Sequence, residues 1–181
     1  LPQGRSENPV NQEQFSRACE AARVFATEPK GWLVLAGPSG CGKTHLAVAI
    51  ANRFIENNHP VFYITTPDLL DHLRSTFSPN SEIPYDEFFE QVRNTPLLIL
   101  DDLGAQSSTP WAKEKLEQLL NHRFSHQLPT VIVSIVPIKE LEERIRTRLT
   151  ASNLCQIYAV DEKSPALSTS GWSPAFALQK S

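Results

Sequence analysis

The chain contains no methionine, only three cysteines among 181 residues, and no apolar run approaching the roughly 20 residues that a bilayer-spanning helix needs. Cys19, Cys41 and Cys155 are odd in number and far apart, which argues against a disulfide framework or a cysteine metal site and predicts reduced thiols. The N-terminus lacks the charged-then-apolar pattern of a secretory leader, so the expectation is a cytoplasmic protein without membrane contact. The missing methionine, with Leu1 as first residue, points to a fragment whose natural N-terminal part is absent. Excess charge is also scarce. A net charge of −3 provides no global basic field, so any DNA contact must be local, weak and salt-dependent.

What is present is alternation. Short β-rich runs occur at 32–36 (WLVLA), 61–65 (VFYIT), 97–101 (LLILD), 130–134 (TVIVS) and 155–160 (CQIYAV), and between them helical periodicity spans about 11–26, 43–57, 67–77, 84–93, 110–127 and 138–149. Strands alternating with helices imply a parallel sheet covered on both faces, and the length suits one domain, residues 1–160. Thr66 before Pro67 and Thr109 before Pro110 read as helix caps followed by proline at the first helical position. Residues 78–85 read as a polar loop. The Ser-, Pro- and Ala-rich stretch 161–181 reads as a flexible tail, with Trp172 and Phe176 leaving an anchored tail open.

The stretch GPSGCGKT, 37–44, matches G-x-x-x-x-G-K-[ST] completely and follows an apolar strand pattern. Gly37, Pro38, Ser39, Gly40, Cys41 and Gly42 let the backbone approach phosphates closely, at the start of the helix that carries His45. Lys43 supplies charge to the outer phosphates, and Thr44 offers its hydroxyl to magnesium. The second half of such a site is expected in LLILDDLG, 97–104. There Asp101 emerges from a buried strand to hold magnesium and Asp102 orients the attacking water, a loop acid capping the next helix being the alternative for Asp102. Two acids at this point favour a hydrolysing ATPase over a small-molecule kinase, which would want an arginine-rich lid that the tail lacks.

These blocks, with VFYITTPDLLDHLRSTF (61–77) and LPTVIVSIVPIKELEERIRTRL (128–149), resemble the AAA+ ATPase domain of DnaC/DnaI-type replicative helicase loaders, relatives of DnaA and of IstB-type transposition helpers. The resemblance covers roughly residues 8 to 160. It implies a five-stranded parallel sheet with the phosphate-loop strand next to the sensor strand, ATP and Mg2+, self-association, a hexameric replicative helicase as partner, and single-stranded DNA. Carried over by position, it makes Arg148 the arginine finger, with Arg144 second. The competing reading is a salt-bridged helix face of Glu140–Arg144 and Glu142–Arg146. It also places DNA contacts at Arg74, Phe77, Thr109 and Trp111, either aromatic being equally suited to the core.

Two positions depart from the family pattern. Ser134 is kept at the end of the fourth strand as a catalytic polar residue, but Ile135 stands where an asparagine is expected, and Ile cannot hydrogen-bond a water. No arginine follows Arg148 to act as a second sensor. The resulting expectation is an ATP-binding helicase loader whose hydrolysis is slow or partner-dependent. The alternatives are a transposition helper and an ATP-sensing adaptor that hardly hydrolyses.

Overall fold

Successive side chains of a strand point to opposite faces, so an unbroken apolar run requires a core on each side. The computed structural model, which describes residues 9–78, 83–150 and 153–160, provides both. Strands β1 (Trp32–Ala36), β2 (Val61–Thr65), β3 (Leu97–Leu103), β4 (Thr130–Ser134) and β5 (Cys155–Ala159) form a five-stranded parallel sheet in the order β2-β3-β4-β1-β5. The phosphate-loop strand therefore lies against β4, as the resemblance implied.

Leu33 and Leu35 of β1 join Ile99 and Val133 in a core covered by α1 (Pro9–Thr27) and α2 (Lys43–Glu56). Trp32 and Val34, one residue out of phase, join Leu100 and Ile132 in a second core. That face is covered by α3 (Thr66–Ser75), α4 (Tyr85–Asn94), α5 (Pro110–Ser125) and α6 (Glu143–Thr150). Each fully buried Leu, Ile or Val contributes about 1.5–3 kcal/mol by leaving water. The three central strands carry most of that burial, while β2 and β5 at the edges are only partly covered.

Two sequence expectations are corrected. The cap of α3 is Thr65, not Thr66: its hydroxyl oxygen accepts from the Asp68 amide at 3.2 Å, which puts Pro67 at the second helical position. Thr66 is buried and donates its hydroxyl to the Asp101 carbonyl at 2.9 Å. The cap at Thr109 is as expected, accepting from the Ala112 amide at 3.2 Å. The span 138–149 is not one helix: a 3-10 turn at Ile138–Glu140 leads to Leu141 in extended conformation, and α6 starts at Glu143. The break turns Leu141 into the core beside Ile145 and Leu149. It also leaves Glu140 and Glu142 outside the helix, and Arg144 pairs instead with Glu117 of α5 at 2.8 Å. The readings of 161–181 as a tail and of 79–82 as loop lie outside the described residues.

Candidate nucleotide site and aromatic cluster

Sequence order brings a glycine-rich turn to the end of β1, and strand order sets it beside the ends of β3 and β4. The Gly37 amide donates to the Ser134 carbonyl at 3.2 Å, tying the loop to β4. Gly37 has φ 147°, and a Cβ there would lie 1.9 Å from the Val160 carbonyl oxygen. Gly40, at φ 88°, has open space where a Cβ would stand. Gly42 caps α2 from the left-handed region with no side-chain bond, so amides of the first helical turn are left for another acceptor.

Lys43 is 4% exposed, and its ammonium donates to the Pro38 carbonyl and lies 3.2 Å from Cys41 Sγ. A buried cation whose ammonium meets a carbonyl and a thiol is poised for an anion. Thr44 Oγ1 sits 3.4 Å from Asp101 Oδ1. Asp101 is 2% exposed, and the same oxygen accepts from the Asp102 amide at 2.8 Å, while its Oδ2 accepts from the Tyr63 hydroxyl. Burial, then the hydrogen bond to Asp101 and its charge, pushes the Tyr63 hydroxyl well above its ordinary pKa of 10.0, which keeps it a donor.

Asp102 follows in a left-handed conformation, φ 52°, where the pairing of β3 with β4 shifts register between Leu100 and Leu103. The irregularity turns its carboxylate into a cleft of about 230 Å³ shared with Ser39, Gly40, Lys43, Thr44 and His45. Burial, then Asp101, raises its pKa from 3.8, with Lys43 opposing. Hard oxygens from one hydroxyl and one carboxylate suit magnesium, which keeps waters and substrate phosphates as its other ligands. Ile135 lines the same cleft with an apolar side chain. Ser134 is fully buried outside that lining, its hydroxyl 2.7 Å from the Val136 carbonyl oxygen, so the expected contact of Ser134 with a reacting water has no geometric support.

The four residues expected to meet DNA are brought together at one corner. The Arg74 guanidinium lies 4.9 Å from the centre of the Trp111 ring and 3.5 Å from Thr109 Oγ1. Phe77 is 57% exposed, outside the core, and stacks on Tyr85 at 4.6 Å with its edge toward Trp111. Tyr85 and Lys115, whose ammonium lies 5.6 Å from the centre of the Tyr85 ring, belong to this cluster and carry no signal in the sequence. Tyr85 enters from α4, across the loop after α3, and only the packing of α3, α4 and α5 reveals it. Arg148 is not brought to the phosphate cleft. It lies over Phe124, 4.8 Å from the ring centre, in a separate cleft between α5 and α6 that also holds Glu117 and Arg144. Among the described residues no helix is long and apolar enough to cross a membrane, and no cluster of three or more His, Cys, Asp or Glu side chains is placed to hold a metal.

A family model described as IstB-like ATP binding protein matches residues 17–156. The chain is 31% identical over 137 residues to the replicative helicase loader DnaI of Bacillus subtilis, an alignment covering 75% of this chain and 43% of that protein. A crystal structure of DnaI superposes with a TM-score of 0.66 at 26% identity, covering 86% of each chain. The AMPPCP-bound DnaA of Aquifex aeolicus has the same fold, with a TM-score of 0.72 at 18% identity over 82% of this chain and 46% of that one. The chain spans about half the length of the curated relatives it matches.

Proposed function

Since the chain belongs to the IstB-like ATP binding protein family and has the AAA+ P-loop fold, we propose that it is an ATP-hydrolysing helicase loader acting in cytoplasmic DNA replication, binding single-stranded DNA and a replicative helicase. The observation that carries the reading is the pairing of Thr44 with Asp101, 3.4 Å apart, beside a buried Lys43. In this reading the phosphate loop from Gly37 to His45 holds the triphosphate. Lys43 leaves the Pro38 carbonyl to neutralise the outer phosphates, and Thr44 and Asp101 would hold magnesium, which would supply further charge neutralisation. Asp102, with its raised pKa, orients the attacking water and takes up its proton. Arg148, which lies in a separate cleft over Phe124, completes the site of a second copy and makes turnover depend on assembly.

The Arg74, Phe77 and Trp111 cluster suits unstacked bases: a guanidinium for phosphate and the exposed ring of Phe77 for sequence-tolerant stacking, with Trp111 half-buried against the core beneath Arg74. A second reading, an adaptor that binds ATP and hardly hydrolyses it, is favoured by Ile135 in the cleft wall, because its side chain cannot hold a water.

Nucleotide binding and turnover by the purified chain, with single- and double-stranded DNA, test both. The loader reading expects Lys43→Ala to abolish tight ATP binding, and Asp102→Asn to keep binding while losing about 100-fold or more in turnover. Binding with no turnover under any condition selects the adaptor. A preference for duplex and for a transposase selects the transposition helper.

A further inference from the structure

We propose that Tyr63 is a positioning residue of the magnesium site: its hydroxyl holds one oxygen of the Asp101 carboxylate and so keeps the other turned toward Thr44. This rests on the reading of Thr44 and Asp101 as that site. Tyr63 is on β2, beside β3, in register with Ile99. Period-two alternation puts Asp101 on the same side of the sheet as Ile99, within reach of a tyrosine standing on the neighbouring strand. The hydroxyl donates to Asp101 Oδ2, while Oδ1 accepts from the Asp102 amide at 2.8 Å and lies 3.4 Å from the Thr44 hydroxyl. The two carboxylate oxygens are thereby given separate partners, which defines the rotation of the group about its last bond.

A packing role does not account for this residue. Tyr63 is 37% exposed and belongs to neither core, so its ring is not what holds β2 to the sheet. Asp101, by contrast, is 2% exposed. Without the hydroxyl, Oδ2 loses its donor in a place that water scarcely reaches, and the carboxylate is free to turn away from Thr44. Partners that orient a metal-binding carboxylate are worth about 10- to 100-fold in metal affinity.

The test is binding of a fluorescent ATP analogue to the whole chain and to Tyr63→Phe, titrated with magnesium and repeated in EDTA, alongside thermal melting. The expected result is a rise of about 10-fold in the magnesium concentration for half-maximal binding, with EDTA binding close to that of the unsubstituted chain and melting lowered only by the loss of one hydrogen bond. Coincident magnesium curves would overturn the proposal and leave the nucleotide site standing. Equal losses with and without metal, together with a lower melting temperature, would mark Tyr63 as structural and overturn it too. Binding by the unsubstituted chain that ignores magnesium would remove the metal-site reading itself, and the proposal with it.

Discussion

Gly37 and Gly40 occupy the same loop for different reasons. At Gly37 a Cβ would lie 1.9 Å from the Val160 backbone, whereas at Gly40 it would meet nothing and only the left-handed φ of 88° is costly, by about 1–2 kcal/mol. Gly37→Ala is therefore expected to lower the melting temperature markedly, because the chain after β5 must move. Gly40→Ala is expected to melt within several degrees of the unsubstituted protein and yet to bind ATP at least about 10-fold more weakly, since its methyl group and altered backbone meet the phosphates. Melting and nucleotide titration of both variants check the contrast, and equal effects would contradict it. Asp102, at φ 52°, is another such position: asparagine tolerates left-handed backbone better than most residues, so Asp102→Asn changes the charge and spares the conformation. Lys43 and Thr44 were legible because motif spacing carries them, and Asp101 and Asp102 because they end an unbroken apolar strand run. Tyr63 was not, since nothing in VFYIT says which strand lies beside it.

The seam between α4 and α5 is held by a charged residue that pairs with no acid among the described residues. Arg123 is fully buried, and its guanidinium donates to the carbonyls of Thr95 at 2.8 Å, Arg93 at 3.0 Å and Pro129 at 2.6 Å, and to Thr130 Oγ1 at 2.9 Å. It thus closes the end of α4 and the turn before β4, and burial lowers its pKa to about 10. Arg123→Leu is expected to cost about 3 kcal/mol, because several carbonyls lose their donor at once, measured by denaturant unfolding. Beside it, His122 Nδ1 accepts from the Arg93 guanidinium at 2.7 Å and Nε2 donates to Asn94 Oδ1 at 2.8 Å, an assignment required by arginine having only donors. Burial, then Arg93 and His126, lowers the His122 pKa from 6.5, with Glu90 opposing and Arg123 adding to the shift. A histidine harder to protonate when folded contributes stability above its unfolded value, and loses it as pH falls through the window from 6.5 down to the lowered value. Unfolding at about pH 7.5 and about pH 5.5 should therefore show a loss on acidification that His122→Gln reduces. The helices themselves were readable from periodicity, except that Leu141, Ile145 and Leu149 keep helical spacing across a break at Leu141 that periodicity does not show.

For the whole molecule, the cleft lined by Lys43, Thr44 and Asp102 and the cleft that holds Arg148 are separate. If Arg148 serves a second copy, ATP turnover per molecule should rise with protein concentration, and Arg148→Ala should reduce the assembled rate by about 1000-fold while sparing ATP binding by the lone chain. A concentration series for both proteins checks this, and a flat series would place the finger elsewhere. With a net charge of −3 and only a local cluster to supply cations, binding of single strands should be weak and fall as salt is raised, with a log–log slope of about −0.7 for each phosphate neutralised. By itself the sequence determined the alternation of strands and helices, the phosphate loop and the paired acids, because hydrophobic period and motif spacing are properties of neighbours along the chain. Only the tertiary structure decided that Tyr63 reaches Asp101, that Tyr85 and Lys115 join Phe77, that Arg144 pairs with Glu117, and that Arg123 closes a helix from within. Each of these contacts joins residues from different elements, and strand order and helix packing, not sequence distance, bring them together.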